Sequence, residues 1–543
     1  MSRKMCIKDT TVQVSTSLTP CDPQKNPVLI IGQLKHLQLL NFADISAKLG
    51  NRVTETVWSN GVKGLQPSPT DCVSLYLNLC SVAALPTRVT RHNTNSRAHH
   101  ITKIVRSHTV AADEEYIVLV CERRDVYASV CAVARAYSLY SRKSSVVNSD
   151  RKQTITIEVI LAGSDTEELS AQDLVVLDAA IFGIRLAACI VDTPAQEMTT
   201  TAFIEEIESV GSKLNIVPVV IQGEELKKRG FGGLWGVGKA AECPPALVIL
   251  SHTPPGASQN IAWVGKGIVY DTGGLSMKTK TTMPGMKRDC GGAAGILGAF
   301  YVAVKSGFDQ NLHAVFCLAE NAVSPKATKP DDIHTLYSGR SVEINNTDAE
   351  GRLVLGDGVV YAYKDLKCDT ILDMATLTGA QATATGKYHA AVVSNNDELE
   401  QCAVRAGRVS GELAHALPYC PELHFPEFAS VVADMKNSAA DRNNASSSCA
   451  GLFIAAQLGF DFSGLWLHID MAAPVYLGER ATGYGVGLLP CIFGEHSQSK
   501  LLRSLSTPLP SASSANTNNN EESGPQNDRM QQEQPSTKKT RLE

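Results

Sequence analysis

The chain reads as an α/β protein of two domains: a smaller amino-terminal one over 1–190, a larger carboxy-terminal one over 195–500 with a central, mostly parallel sheet, and a disordered tail over 501–543. Two observations predict this. Short apolar runs rich in Val, Ile and Leu alternate with helical patterns, the signature of α/β layering. The last stretch has no aromatic residue, Ile or Val and is rich in Ser, Asn, Gln, Glu and Pro, so it cannot bury enough surface to order itself.

In the first domain, strands are expected at Val28–Ile31, Glu115–Val120 and Thr154–Leu161, with a helix from Val126 to Tyr140. Asp173 to Ile190 reads as a helix leading into the second domain, with Pro194 marking its end. There, buried strands are expected at Ala246–Leu250, Ile261–Val264, His313–Leu318, Thr370–Met374 and Leu465–Ile469, and a helix from Gly291 to about Gly307. Gly230–Gly238 lacks the spacing of a phosphate cradle and reads as a turn or substrate-side loop.

The 543 residues, 43% apolar and 19% charged, can build substantial cores. A net charge of −5 gives no global pull toward nucleic acid. The 15 cysteines are odd in number, scattered and without C-x-x-C spacing, which favours reduced thiols and a cytoplasmic location. No apolar run is read as reaching the ~18 residues that span a membrane. Residues 1–20 carry few acids and several hydroxyls, a faint trace of a transit peptide beside the plainer cytosolic start. Lys538-Lys539-Thr540-Arg541 is either part of a solvated tail or a nuclear import signal. From Cys72 to Ala112 there is no acid, while Arg88, Arg91, Arg97, Lys103 and Arg106 accumulate. That is a solvated face or subunit contact rather than a nucleic-acid patch, since 81–112 holds no aromatic residue.

Chemistry concentrates in two segments. Asn346-Thr347-Asp348-Ala349-Glu350-Gly351-Arg352 places two carboxylates at i and i+2, which an extended or loosely turned segment projects the same way. They repel unless a cation lies between them; the plain alternative is a polar surface turn. Upstream, Lys266 and Asp271 flank an apolar run, Gly273-Gly274 frees the backbone, Lys278 follows, and Asp289 precedes Gly291-Gly292-Ala293-Ala294. A buried Lys is expensive unless it has a partner or loses its proton. The carboxylates of Asp271, Asp289, Asp348 and Glu350 would balance two divalent cations, with Lys266 as a neutral amine ligand and Lys278 and Arg352 as nearby cations. That is the layout of a two-metal hydrolase. Oxygen ligands without Cys or His argue against a structural zinc site.

These segments resemble the signatures of the leucine aminopeptidase (cytosol aminopeptidase) family of dinuclear metallo-exopeptidases. The Asn-Thr-Asp-Ala-Glu-Gly-Arg-Leu hallmark is intact through Leu353, and the upstream Lys, Asp, Lys and Asp stand at the family's spacing. Val191-Asp192-Thr193-Pro194, Gly232-Gly233-Leu234, Glu320-Asn321, Ala375-Thr376-Leu377-Thr378-Gly379-Ala380 and His468-Ile469-Asp470 agree, so the similarity spans roughly 185–490. Leu85-Pro86-Thr87-Arg88 and the stretch from Arg185 to Met198 are similar to an animal branch.

The resemblance implies a metal-dependent aminopeptidase acting on peptides with a free amino terminus, with 195–500 as the catalytic domain. It assigns Lys266, Asp271, Asp289 and Glu350 to one metal and Asp271, Asp348 and Glu350 to the other, the ions being Zn²⁺ and/or Mn²⁺. Lys278 would stabilise the oxyanion and Arg352 would hold a bicarbonate general base. Met286, Thr376, Gly379 and Ala472 would line an apolar pocket for the first side chain, favouring Leu or similar residues. The family usually forms hexamers. Two positions depart from its pattern: Cys290 stands where Met is usual, either a small packed residue or a redox-sensitive one, and Ala472-Ala473-Pro474 replaces the commoner Ala-Gly pair. His468, close behind Trp466 on an apolar strand, reads as a satisfied core histidine rather than a ligand. A binding or scaffolding protein on the same fold is the competing class, though binding alone needs neither Lys278 nor Arg352.

Overall fold

The computed structural model describes residues 9–108, 110, 112–147 and 152–510. The amino-terminal sheet runs in the order Thr10–Ser15, Gln153–Leu161, Glu114–Cys121, Val28–Gln33, Cys80–Leu85, Asp71–Tyr76. Every neighbouring pair is parallel except the last. Val28–Gln33 and Cys80–Leu85 are buried along their whole length, as expected of parallel strands covered on both faces. The helix expected from Val126 to Tyr140 stops at Ala134. There the chain tightens into i→i+3 bonds, Ala136 N–H to Val133 O and Tyr137 N–H to Ala134 O, and the Tyr137 carbonyl turns to accept from Arg185 Nε at 3.0 Å.

The larger sheet runs Ala414–Ala416, Ala390–Ser394, Leu465–Asp470, Thr370–Ala375, Asn260–Asp271, Asn311–Asn321, Ala246–His252, Val219–Gln222. Its central four strands are parallel to one another, and antiparallel pairings enter on either side. Side chains alternate between two cores. Trp263, Phe316 and Leu372 face the helices Ala171–Asp192 and Gly291–Lys305. Ala262, Val264, Val315 and Ile371 face Gly351–Lys364 and Ser446–Leu458. The helix Ala171–Asp192 begins with a Ser170–Asp173 capping box and is stitched to the larger unit, where the Gly183 and Gly298 backbones meet too closely for any side chain.

Three expectations are corrected. Gly232–Gly238 is a helix rather than a loop. Its glycines let it lie against the chain, since a Cβ on Gly233 would stand 2.4 Å from Leu353 O and one on Gly232 2.0 Å from Thr335 O. The 22-residue helix Ala171–Asp192 is long and apolar enough to cross a membrane, contrary to the reading that no run is. In the structure 78% of its most apolar window is buried inside the protein, because both of its sides meet other layers. Order also passes the expected start of the tail. Lys500–Leu505 is a helix with Leu501, Leu502 and Leu505 buried, and Leu501 N–H donates to the buried Asp173; residues 511–543 lie outside the described residues. In the acid-free stretch, Arg97 is buried and donates to the carbonyls of Thr87, Thr94 and Asn95. Arg106 donates to Arg135 O, so part of this positive charge serves the fold.

Candidate active site

The acidic residues meet at the carboxyl end of the central parallel strands, where open α/β sheets bind ligands. Asp271 ends the strand Asn260–Asp271, which also carries Lys266. Asp289 sits on the short 3₁₀ turn Met286–Cys290 that feeds the helix Gly291–Lys305. Asp348 lies on a turn, and Glu350 is the N-cap residue of the helix Gly351–Lys364. Glycine permits the close approaches. Gly292 lies against Met374, where a Cβ would stand 2.1 Å from the carbonyl oxygen, and Gly351 lies against the Lys266 side chain.

Lys266 Nζ stands 2.9 Å from both Asp289 Oδ2 and Glu350 Oε1 and donates to Thr376 O at 2.9 Å. Lys278 Nζ bridges Asp271 Oδ2 at 2.8 Å and Asp348 Oδ1 at 2.6 Å. Asp271 Oδ1 accepts from Gly273 N–H and Asn321 Nδ2, each at 2.8 Å. Thr347 ties the two loops together: its hydroxyl donates to Gly273 O at 2.7 Å and accepts from Ser276 N–H at 2.7 Å.

Electrostatics follow from burial. Burial, then the charge of Asp271, pushes the Glu350 carboxyl up to about 8. Burial also raises Asp289 and Asp348. Burial works against the Lys266 ammonium, but Asp289, Glu350 and Asp271 outweigh it and hold the group above the ordinary lysine value. Burial likewise opposes the charge on Lys278, which Asp271 and Glu350 more than restore. Arg352, 8% exposed, is brought down to about 10 by burial. Its Nη1 donates to Asn437 O at 3.0 Å, while its Nε has no partner.

This donor set suits divalent cations. Oxygens of Asp271, Asp348 and Glu350 all lie within 4.8 Å of one another, and Glu350 Oε2 has no hydrogen-bond partner. The carboxylates are hard ligands, and cations would offset the burial and the repulsion from Asp271 that raise Glu350.

The expected pocket positions fall around this cluster. Met286 opens the turn that carries Asp289. Thr376 hydroxyl donates to Asp289 Oδ1 at 2.8 Å. Gly379 starts the helix Gly379–Thr385, and nothing lies within 4 Å of where its Cβ would be. The backbone N–H groups of Leu377, Thr378 and Ala472 all donate to the buried Asp470 carboxylate, so one acid joins the segments that carry Thr376 and Ala472. His468 is buried against Asp373, Nδ1 to Oδ1 2.5 Å, while its Nε2 has no hydrogen-bond partner, so the histidine is a core residue satisfied at one nitrogen only. Cys290 is fully buried and burial pushes its thiol up to about 12, the packed-residue reading.

Asn321, Thr347, Asp470 and Asn437 carry roles that residue-type reasoning did not assign. Asn321, Thr347 and Asp470 fall inside quoted motifs. No local signal marks Asn437, whose partners lie 85 to 94 residues away in the chain.

An α/β chain with an acidic cluster at the carboxyl ends of its central strands has a site that could hold divalent metal. Residues 185–490 match the catalytic domain of the cytosol aminopeptidase family, and residues 26–146 match the M17 aminopeptidase N-terminal domain 2. The chain therefore belongs to the cytosol aminopeptidase (M17) family. It is 60% identical over 495 residues to the human "Probable aminopeptidase NPEPL1", covering 91% of this chain and 95% of that one. It is 45% identical over 432 residues to the leucine aminopeptidase 1 of Caenorhabditis elegans, covering 79% and 86%. Among solved structures, the leucine aminopeptidase of C. elegans superposes with a TM-score of 0.86 at 41% identity, covering 91% of this chain and all of that one. The leucyl aminopeptidase of Leishmania major in complex with actinonin gives 0.80 at 33%, covering 92% and 95%.

Proposed function

We propose that this chain is a dinuclear metal-dependent aminopeptidase that releases the first residue, preferably Leu or another apolar one, from peptides with a free amino terminus. The observation that carries the reading is the convergence of Asp271, Asp348 and Glu350 within 4.8 Å beside Lys278 and the buried Arg352. Asp271, Asp289, Asp348, Glu350 and a deprotonated Lys266 would hold two divalent ions, Zn²⁺ and/or Mn²⁺; metal binding would release the proton that Lys266 carries in the ion-paired state. Bound there, the ions supply Lewis acidity and a water of lowered pKa.

The chain's own residues do the rest. Lys278, held by Asp271 and Asp348, directs its ammonium at developing negative charge on the scissile carbonyl oxygen. Arg352, anchored through Nη1 and free at Nε, would hold a bicarbonate ion, the group that supplies a general base when bound. Met286, Thr376, Gly379 and Ala472 would receive the first side chain; such an apolar pocket separates similar apolar residues only weakly.

The reading includes assembly as a homo-oligomer, the hexamer of the family resemblance, and a cytoplasmic location. Support for assembly is the exposed apolar surface at Leu423, Val431, Val432 and Phe460. The test is digestion of a peptide library after metal reconstitution. Release of apolar amino-terminal residues is expected, and products cut internally or from the carboxyl end would refute it.

A further inference from the structure

We infer that Asn437 is a positioning residue that sets the acidic turn and the Arg352 guanidinium in one register, and so sets the affinity of the site for divalent metal. The inference rests on the metal-dependent reading above and adds a residue from outside every motif.

Asn437 follows the short strand Met435–Lys436 and has no exposed surface. Its side-chain Oδ1 accepts from Asn345 N–H at 3.0 Å and Asn346 N–H at 3.2 Å. Its Nδ2 donates to Asn346 O at 2.7 Å and Ala349 O at 3.3 Å. Both donors and both acceptor positions of the amide are used. Its backbone carbonyl accepts from Arg352 Nη1 at 3.0 Å, and its own N–H donates to Glu343 O at 3.0 Å. One residue thus grips the backbone on both sides of Asp348, immediately before Glu350, and also the cation two residues beyond.

A buried turn must satisfy its backbone groups somewhere, and a purely structural amide would do that much. The distinguishing feature is the second grip. The bonds to Ala349 O and to Arg352 bracket Glu350, whose Oε1 meets Lys266 and whose Oε2 has no hydrogen-bond partner. Loss of the amide frees the turn to rotate Asp348 and Glu350 apart. Ligand-orienting partners of this kind typically change metal affinity 10–100-fold when removed.

The test is calorimetric titration of Mn²⁺ into the metal-stripped full-length chain. Asn437→Ala should weaken Mn²⁺ binding by roughly 10–100-fold. Asn437→Asp keeps the acceptor but faces an anion toward Asn346 O and Ala349 O, and should weaken it as well. The comparison variant is Asn395→Ala. Asn395 is another stitching amide, accepting from Trp466 N–H at 2.8 Å and donating to Gly464 O at 2.9 Å, where the ends of the strands Ala390–Ser394 and Leu465–Asp470 meet, neither of which carries a metal ligand. It should lower the unfolding temperature and leave Mn²⁺ affinity unchanged. If Asn437→Ala does not fold, Asn437→Asp decides by the same criterion. Wild-type affinity in the Asn437 variants, or an equal loss in Asn395→Ala, would overturn the assignment alone. A wild-type chain that takes up no Mn²⁺ would overturn both the assignment and the reading beneath it.

Discussion

Lys266→Met isolates the electrostatics of the acidic cluster. Lys266 is 2% exposed and stands 2.9 Å from a carboxylate oxygen of each of Asp289 and Glu350. Met is of similar length and leaves little cavity, so the change is chiefly loss of charge. Removing one partner of a buried pair costs roughly 3–5 kcal/mol, less whatever the abandoned carboxyls recover by taking up protons. Burial and Asp271 already raise Glu350 to about 8, and burial raises Asp289; without the ammonium both rise further. An acid whose folded pKa is raised contributes its stability in full below the unfolded value and loses it as pH climbs through the folded value. For Glu350 that window runs from its ordinary 4.5 to about 8. The deficit of the variant should therefore be small near the bottom of this window and grow toward its top. Thermal unfolding of chelator-treated wild type and variant at both ends measures it. Equal midpoints at the top, or a larger deficit at the bottom, would refute the reasoning.

Other consequences can be checked separately. Asp125 is 5% exposed with Oδ2 unpartnered, and burial raises its carboxyl from 3.8 to about 6. Its contribution to stability is full below 3.8 and lost as pH rises through 6, so Asp125→Asn should be the more stable form above pH 6 by up to about 3 kcal/mol. Denaturant titration across that window reads the difference, and a variant less stable above pH 6 contradicts it. Cys290 should resist iodoacetamide in the native chain, since burial pushes its thiol up to about 12. Peptide mapping that finds it alkylated as fast as in unfolded chain would restore the redox-sensitive reading.

The parts of this account that were legible in the sequence are those whose signal is local. Asp348, Glu350 and Arg352 lie within five positions, and Lys266 and Asp271 flank an apolar run that does become one strand, Asn260–Asp271. The other central strands were visible because burial on both faces writes an unbroken apolar run. Signals from distant packing were not visible. Gly232–Gly238 looks like a loop because glycine has poor helix propensity, yet contact with Leu353 and Thr335 leaves room for nothing larger. The helix Val126–Ala134 ends early because the backbone beyond it serves Arg185. The helix Ala171–Asp192 looks long enough to span a bilayer because it is buried on several sides at once. Asn437 escaped for the same reason, since its meaning lies entirely in the turn it meets across the fold.

The most direct test is release of leucine from an amino-terminal leucyl reporter by wild type and Lys278→Ala, each with chelator and then with restored Mn²⁺ or Zn²⁺. Turnover by wild type should vanish with chelator and return with metal. Lys278→Ala should lose on the order of 100- to 1,000-fold in kcat, the usual loss for one oxyanion-stabilising group. Turnover that persists through chelation, or that Lys278→Ala leaves intact, would contradict a metal-poised attack at this cluster.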